Sequence, residues 1–359
     1  MIVVIPSCRR IELTHLSPLI DAGARFIVVD DTPGSIHIDH PRFTVLNWRD
    51  RRRLLGRNEA AVPRGNGACR NLGFYLAWKE ADPEEIIVAL DDDCVVGSEA
   101  FVGALNIVLS DSERPVAQGA GRHFNIFDLF VEPRFREIFP RGFPYSDRLG
   151  YRRWEFGMSQ SSNVVFNVGL WRGIPDVNAV DCLGQVPLNF PEVDLIHPTV
   201  LVPREVLISA CSGSMQFRAR VIPAVFQLPM NVEIMPGWTI NRFGDIWAGF
   251  LLKTLVDIRG DSMSVGGPLV HHLRQGPLDR NTRTEHLAHL VNEEFLEMVE
   301  SLRENVRPGP YLDMIGQVRD QMSQIAPRSS AILRAYLGCV MESLEAWVEG
   351  LSHSAGAMA

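Results

Sequence analysis

The stretch Ile86-Ile87-Val88-Ala89-Leu90-Asp91-Asp92-Asp93 decides how this sequence folds. Its first five residues are apolar and three of them are β-branched, which is typical of a buried strand. The carboxylates that follow repel one another and resist burial, so after Leu90 the chain must turn towards solvent or towards a cation. The stretch therefore predicts a buried strand with an acidic group at its carboxyl end.

The acidic triplet supports two interpretations. Successive side chains of an extended segment point to opposite sides, which places Asp91 and Asp93 on the same side. Such a pair can hold Mg²⁺ or Mn²⁺, with water and phosphate oxygens as the remaining ligands. The alternative is a solvated acidic turn without a ligand. The apolar strand directly before the triplet favours the metal–diphosphate site.

Strand and helix patterns alternate through the N-terminal part of the chain. The predicted strands are 2–5, 25–29, 43–46 and 86–90, and the predicted helices between them are 13–22 and 68–80. This order predicts parallel strands, which collect ligands at their carboxyl ends. Polar residues follow three of these strands, at 7–10, 30–31 and 91–93. The coincidence favours a nucleotide site at that edge of the sheet.

The rest of the chain divides into two parts. Residues 114–202 are rich in proline, glycine and aromatics, which indicates strands and ordered loops around an acceptor or sugar pocket. From Glu285 onwards apolar residues recur at three- and four-residue spacing, which predicts helices. We therefore predict a catalytic domain at 1–284 and a helical extension at 285–359 that packs on it or forms a homo-oligomer.

The bulk composition excludes several classes of protein. The net charge of −8 and the pI near 5.7 argue against a nucleic-acid protein with a broad basic surface. The six cysteines are scattered without a C-x-x-C pair, which favours reduced thiols in a cytoplasmic protein. No apolar run reaches the roughly 18 residues of a transmembrane segment. The chain also lacks a P-loop, a dinucleotide-binding glycine motif and a nucleophile elbow.

Four other residues are candidates for the functional site, but each also has an ordinary structural explanation. Arg70 follows a glycine-containing loop at a helix start, where a guanidinium can bind phosphate or lie free on the surface. Asp245 lies at the start of a predicted helix. There it can interact with the helix dipole, or it can act as a base or accept a hydrogen bond from a sugar hydroxyl. His272 follows an apolar stretch, where it can be a third metal ligand or a histidine exposed to solvent. Nothing local distinguishes Arg148 from a loop arginine.

A set of longer sequence motifs carries a family resemblance. The motifs are, in chain order, Ala68-Cys69-Arg70, Gly73-Phe74-Tyr75, Asp91-Asp92-Asp93-Cys94, Gly169-Leu170-Trp171, Ile174-Pro175-Asp176, Trp247-Ala248-Gly249, Gln317-Val318-Arg319 and Glu345-Ala346-Trp347. With them the chain resembles the reversibly glycosylated polypeptides, or UDP-arabinopyranose mutases, of glycosyltransferase family 75. The resemblance implies an α/β GT-A-type nucleotide-sugar fold with a mostly parallel central sheet and a C-terminal helical extension. It further implies a UDP-sugar partner and a divalent cofactor, Mn²⁺ or Mg²⁺, and no flavin is expected.

The resemblance also implies roles for individual residues. Asp91, Asp93 and His272 match the positions that bind the metal, and Asp91 and Asp92 match nucleotide contacts. Arg9 matches the early Ile-Pro-x-x-Arg element, and Asp31 matches the aspartate after the second strand. Both are expected to contact uridine or ribose, and Arg70 the phosphates.

Catalysis is assigned by the resemblance to two further residues. Arg148 matches the arginine linked to reversible self-glycosylation, in a Pro-aromatic-Ser-x-Arg-x-Gly segment, and Asp245 is the acid that precedes the Trp-Ala-Gly motif. The chain departs from the family pattern at Gly244, where the family has an acid, and at Ser214, where it has an asparagine. The expected function is a metal-dependent UDP-sugar pyranose/furanose mutase. The alternatives are a glycosyltransferase with an external acceptor and a non-catalytic partner of a homologous mutase.

Overall fold

The structure is a computed structural model that describes residues 1–160, 162–184, 188–274 and 276–355. Within these ranges the strands are β1 (Ile2–Ser7), β2 (Arg25–Asp30), β3 (Phe43–Leu46), β4 (Ile86–Leu90), β5 (Cys94–Val95), β6 (Arg114–Gln118), β7 (His123–Phe124), β8 (Glu155–Gln160), β9 (Val164–Gly173), β10 (Thr199–Val202), β11 (Leu207–Ile208), β12 (Ser214–Arg218), β13 (Val232–Met235), β14 (Trp238–Ile240) and β15 (Ser262–His272). The α-helices are α1 (Ser17–Asp21), α2 (Trp48–Leu55), α3 (Asn71–Glu80), α4 (Glu99–Val108), α5 (Ala179–Leu183), α6 (Gly244–Arg259), α7 (Leu278–Asn305), α8 (Tyr311–Ile325) and α9 (Ala331–Ala355).

One large sheet organises the molecule. Its strand order is β3-β2-β1-β4-β12-β9-β15-β10-β6-β8, and β5 pairs with β15 beside this path. Strands β1 to β4 are parallel to one another, as the alternation of strand and helix patterns predicts. Of the eleven strands described in this sheet, seven (β1 to β4, β8, β9 and β15) run in one direction. The predicted mostly parallel α/β sheet is confirmed.

The N-terminal strands lie in the core because helices cover them. Strand β1 is apolar and almost fully buried, and helix α3 packs against β1 and β2. Gly73 permits the close approach, since a Cβ at this position would crowd the side chain of Val4 and lie 3.2 Å from Val29 Cγ2. The predicted helix at 13–22 is shorter than expected. It starts as a 3-10 turn and becomes the α-helix α1 at Ser17, with Pro18 in its first turn.

The C-terminal region is helical, as predicted, and packs on the sheet domain. Trp247 of α6 stacks on Phe295 of α7 with ring centroids 4.5 Å apart. The indole of Trp347 on α9 donates a hydrogen bond of 3.1 Å to the carbonyl of Pro223. The division into domains at 1–284 and 285–359 stays a prediction, as does a homo-oligomer through these helices. Across the described ranges, no helix is both long and apolar enough to span a membrane.

Lys253 on α6 gives a prediction about stability and pH. Its ammonium group is buried, 2.5 and 2.6 Å from the carboxylate oxygens of Asp257, and burial lowers the pKa of Lys253 to about 8 although Asp257 opposes that shift. Because the unfolded chain keeps a higher pKa of about 10.4, it binds more protons between these values, and stability contributed by this residue rises with pH. We expect wild type to gain about 2 kcal/mol over Lys253→Met between pH 8 and pH 10.

Urea unfolding of both proteins across this pH range measures the effect. The variant remains a fair reference because Arg303 still pairs with Asp257 at 3.0 Å. A stability difference between wild type and variant that does not change with pH would contradict the prediction.

Candidate functional site

A cavity of about 410 Å³ lies at the carboxyl ends of the central strands. It is lined by five of the residues predicted for the site, namely Arg9, Asp91, Asp93, Asp245 and His272. Arg9 follows β1, the two aspartates follow β4, His272 ends β15 and Asp245 begins α6. Residues separated by more than 260 positions are thus brought together because their elements end at the same edge of the sheet.

The pair formed by Asp93 and His272 has the features of two metal ligands. The Nε2 atom of His272 is 3.9 Å from Oδ1 of Asp93, within the span of about 4 Å that two bonds of about 2.1 Å allow around one ion. The other ring nitrogen, Nδ1, lies 2.7 Å from the carbonyl of Ile174. Since a carbonyl only accepts, Nδ1 carries the proton, which leaves the lone pair on Nε2 facing Asp93.

The electrostatics around Asp93 also suit a cation. Burial raises the pKa of Asp93, and the charge of Asp91 raises it further, so the carboxylate gains from added positive charge. Among the described residues, no group of three or more His, Cys, Asp and Glu side chains is arranged to hold a metal ion alone. An ion here would therefore complete its coordination with oxygens of a ligand or water, as Mg²⁺ commonly does.

Two arginines balance the acidic triplet. Arg9 pairs with Asp92 and lies 3.5 Å from Asp93, and Arg70 pairs with Asp91. Arg9 lines the cavity, but Arg70 is buried and holds Asp91 from behind. Asp92 is turned towards Arg9 and away from the cavity lining. The nucleotide contacts assigned to Arg70 and Asp92 stay predictions, and what the structure shows is their role in fixing the triplet.

Asp31 is placed beyond the cavity lining. Its Oδ1 accepts a hydrogen bond of 3.0 Å from the Trp48 indole, and its Oδ2 accepts one of 2.7 Å from the Gly65 backbone. Asp31, directly after β2, thus holds the start of α2 through one oxygen and the loop before α3 through the other. A nucleotide contact by Asp31 stays a prediction.

Arg148 is also outside the cavity lining. Its guanidinium makes two hydrogen bonds to Asp181, of 3.1 and 2.8 Å, and lies over the rings of Phe139 and Tyr145 at 4.9 and 4.1 Å. Burial raises the pKa of Tyr145 to about 12, so its hydroxyl stays protonated beside this group. The structure shows Arg148 as a clamped, stacked side chain, and its role in sugar attachment stays a prediction.

Arg141 is a cavity residue that the sequence analysis did not single out. Its guanidinium lies between two carboxylates, with bonds of 2.8 and 2.9 Å to Asp176 and of 3.0 and 2.9 Å to Asp245. Burial alone would lower the pKa of Arg141, but the charges of Asp176 and Asp245 raise it well above its usual value. The only sequence signals were the Pro140-Arg141-Gly142 turn and the Ile174-Pro175-Asp176 motif.

The two departures from the family pattern differ in their surroundings. A Cβ at Gly244 would lie 2.5 Å from the carbonyl oxygen of Leu228 and 2.7 Å from Cγ of Met230, so packing leaves no room for a side chain there. Ser214 is buried on β12 and lines the cavity, and its Oγ accepts a hydrogen bond of 2.8 Å from Gln216. Only the change at Ser214 therefore alters the cavity wall.

The parallel N-terminal strands, the cavity at their carboxyl ends and the helical C-terminal region define an α/β protein whose architecture is consistent with a GT-A-like fold. The chain belongs to the reversibly glycosylated polypeptide family, whose sequence model matches residues 3–354. The predicted family assignment is thereby confirmed.

Relatives of the chain carry the names of enzymes. The Arabidopsis thaliana protein "Probable UDP-arabinopyranose mutase 4" is 23% identical over 97% of this chain and 89% of its own length. The Arabidopsis thaliana protein "UDP-arabinopyranose mutase 1" is 24% identical over 97% of this chain and 90% of its own length. The Solanum tuberosum protein "Probable UDP-arabinopyranose mutase 2" is also 24% identical, over 97% of this chain and 89% of its own length. The expectation of an enzyme is confirmed at the level of this family.

Proposed function

We propose that this protein is a UDP-sugar mutase that interconverts pyranose and furanose forms of the sugar. The observation that carries the proposal is the cavity that unites Asp91, Asp93 and His272 at the carboxyl edge of the sheet. Membership of a family whose named relatives are UDP-arabinopyranose mutases supports it. The identity of the sugar is left open by the changed residue at Ser214.

The acidic side of the cavity is proposed to bind a divalent ion and the diphosphate. Asp93 and His272 would hold Mn²⁺ or Mg²⁺, with phosphate or water oxygens completing its coordination, and the ion would neutralise charge on the departing diphosphate. Asp91, the third predicted ligand, lines the same cavity but is already paired with Arg70. Arg9 lines the same cavity and adds a guanidinium that can bind phosphate oxygens. Both features make UDP a better leaving group when the bond from the anomeric carbon to the phosphate oxygen breaks.

The other side of the cavity is proposed to hold the sugar. Asp176 and Asp245 line it, and both oxygens of Asp176 and Oδ1 of Asp245 have a second lone pair beyond their bond to Arg141, whereas Oδ2 of Asp245 also accepts from Ser212. These oxygens can accept hydrogen bonds from sugar hydroxyls while UDP is detached.

In a balanced sequence, an arginine nitrogen that gives its proton to a neighbouring carboxylate bonds to the anomeric carbon as the bond to the UDP oxygen breaks. The ring C–O bond then breaks, with a proton passing to the ring oxygen, as the nitrogen lone pair forms a C=N bond, and a different hydroxyl oxygen attacks the same carbon and loses its proton. Finally, the UDP oxygen displaces the arginine nitrogen, which recovers its proton.

Reversible attachment of the sugar to an arginine is part of the proposal, and two arginines compete for that role. The sequence favours Arg148, whereas the cavity contains Arg141. An arginine needs to lose a proton to act as a nucleophile. Asp176 and Asp245 raise the pKa of Arg141, which opposes this loss, but they are also the adjacent carboxylates that would accept the proton as the bond to the sugar forms. For Arg148, the adjacent carboxylate that would accept the proton is Asp181.

Substitution of each arginine by lysine separates the two. Protein is incubated with Mn²⁺ and UDP-galactose labelled in the sugar, and the labelled peptide is identified by mass spectrometry. We expect Arg141→Lys to lose the label and at least about 100-fold of turnover, because lysine keeps the charge but not the planar fork. Label that persists in Arg141→Lys and disappears in Arg148→Lys would return the role to Arg148.

The function itself is tested with purified protein, Mn²⁺, UDP-arabinopyranose and UDP-galactopyranose. Chromatography follows the ring form of the sugar, and mass spectrometry follows the mass of the protein. Interconversion of ring forms is the expected result. Transfer of the sugar to an added acceptor without ring interconversion would support a glycosyltransferase instead, and inertness towards both UDP-sugars would support a non-catalytic partner.

A further inference from the structure

Ser214 belongs to a buried chain of polar side chains behind the cavity. Its Oγ accepts a hydrogen bond of 2.8 Å from Nε2 of Gln216, whose Oε1 accepts one of 2.6 Å from Nδ2 of Asn167. Oδ1 of Asn167 in turn accepts one of 2.7 Å from the hydroxyl of Ser264. These four residues lie on the neighbouring strands β12, β9 and β15 and are at most 1% exposed. The chain of hydrogen bonds thus crosses the sheet and ends at the cavity wall.

A backbone carbonyl fixes the direction of the hydrogen bonds in this chain. Nδ2 of Asn167 also lies 3.0 Å from the carbonyl oxygen of Gly267, which can only accept, so this end of the amide is the nitrogen. That nitrogen also donates to Oε1 of Gln216, and Nε2 of Gln216 then donates to Ser214. Because an N–H donates to its Oγ, the hydroxyl proton of Ser214 points away from Gln216.

The hydroxyl proton of Ser214 is available to a ligand in the cavity. Across the residues that the structure describes, Oγ of Ser214 takes part in the bond from Gln216 and in no other, although the residue lines the cavity. Gly169 leaves space for this arrangement, since a Cβ there would collide with Oγ of Ser214 and lie 2.7 Å from Nε2 of Gln216. A buried donor without an acceptor costs free energy, which a ligand oxygen in the cavity would recover.

The neighbours of Ser214 along β12 locate its hydroxyl within the cavity. Ser214 follows Gly213, whose carbonyl accepts a hydrogen bond of 3.1 Å from the backbone of Asp91. Just before Gly213, the backbone of Ser212 donates a bond of 3.3 Å to Oδ2 of Asp245. Ser214 therefore lies where the side of the cavity with the acidic triplet meets the side with Asp245.

We infer that Ser214 donates a hydrogen bond to the oxygen that joins the sugar to the diphosphate, and that Gln216 acts through Ser214 as a positioning residue. This inference rests on the proposed function and adds to it a donor for the leaving group. When the bond from the anomeric carbon to this oxygen breaks, the electron pair stays on the oxygen, which becomes part of the terminal phosphate of UDP. Because a charged phosphate oxygen accepts more strongly than an ester oxygen, the hydrogen bond strengthens as UDP departs.

Calorimetric binding of three ligands to the full chain in Mn²⁺ tests the inference. UMP lacks the oxygen in question, and UDP carries it as a charged phosphate oxygen. The third ligand is the phosphonate analogue of UDP-galactose, in which a CH₂ group replaces this oxygen and prevents cleavage. We expect Ser214→Ala to weaken UDP by about ten- to a hundredfold and the other two ligands by less than about twofold. Turnover of the interconverted UDP-sugar should fall by about tenfold or more, with KM within about twofold of wild type.

The role of Gln216 is tested through its dependence on Ser214. Gln216→Met leaves the hydroxyl of Ser214 in place but free to rotate, and we expect this variant to bind UDP about threefold more weakly than wild type. The double variant Ser214→Ala, Gln216→Met should bind UDP as weakly as Ser214→Ala alone, because Gln216 acts through the hydroxyl. Additive losses in the double variant would overturn the positioning role of Gln216.

Controls separate a local effect on the ligand from a general effect on the fold. Ser343 is buried on α9, outside the cavity lining, so Ser343→Ala should leave all three affinities unchanged. If Ser214→Ala does not fold, Ser214→Cys retains a side chain of similar size with a weak donor and should show the same selective loss for UDP. A loss that is not selective for UDP, or no loss at all, would overturn the inference. Failure of wild type to bind UDP would instead refute the proposed function.

Discussion

Replacement of Asp93 by alanine is expected to lower the affinity for UDP in the presence of Mn²⁺ by about 100-fold or more, which corresponds to about 3 kcal/mol. The side chain is 15% exposed and lies 3.9 Å from His272, so its loss leaves the histidine as the single ligand on that side of the cavity. Folding should survive, because burial and the charge of Asp91 raise the pKa of Asp93, so this carboxylate is disfavoured in the fold and its removal costs little. Calorimetric titration with and without Mn²⁺ measures the affinity.

The comparison without the ion isolates the role of the carboxylate. Wild type and Asp93→Ala should bind UDP with the same weak affinity once the ion is removed by a chelator. Asp320→Ala, at a surface carboxylate paired with the neighbouring Arg319, provides a matched control and should behave as wild type. If Asp93→Ala retains the affinity of wild type in Mn²⁺, the metal–diphosphate site is not at this edge of the sheet.

The N-terminal half of the sheet was predictable because its signals are local. The predicted strands 43–46 and 86–90 are observed with the same bounds, and 2–5 and 25–29 are extended by one or two residues. An apolar run and its period depend only on neighbouring residues, and parallel pairing follows from the intervening helices. The order of β12, β9, β15 and β10 was not predictable, because these strands pair across long and irregular connections.

Most of the candidate site was predictable because its residues follow strand ends, and Asp245 was predictable because it begins a helix. Asp91, Asp93 and His272 were found in this way, and the structure brings them into one cavity. Arg141 could not be found, because its partners Asp176 and Asp245 are 35 and 104 positions away. Its ion pairs exist only in the folded chain, and an arginine in a loop has no local pattern that predicts burial.

Asp31 and Arg148 are marked by the sequence, but the structure places both outside the cavity lining. A family motif marks both positions, but it gives no information about which atoms surround a side chain. In the fold, the oxygens of Asp31 are engaged by Trp48 and Gly65, and Arg148 is engaged by Asp181. Only seven positions separate Arg148 from Arg141, and loop geometry alone decides which guanidinium lines the cavity.

Arg141→Met is expected to destabilise the fold more than any other single change considered. The guanidinium is 7% exposed and neutralises Asp176 and Asp245, whose side chains are 15% and 7% exposed. Without it two adjacent carboxylates remain largely buried and uncompensated, which in other proteins costs about 3–5 kcal/mol. We expect a loss of about 4 kcal/mol in the free energy of unfolding at neutral pH, measured by urea unfolding.

Two further variants establish that unpaired charge, and not lost packing, causes this loss. The triple variant Arg141→Met, Asp176→Asn, Asp245→Asn removes the carboxylate charges together with the guanidinium and should recover more than half of the stability. Arg134→Met removes an exposed arginine paired with Glu132 and should leave the unfolding midpoint unchanged. If the triple variant is no more stable than Arg141→Met, the arginine acts through its packing. The buried ion pairs would then be incidental to the fold, and the cavity wall would tolerate neutral residues at Asp176 and Asp245. Recovery would instead mean that the two carboxylates are retained at a cost in stability, as expected for groups that bind the sugar.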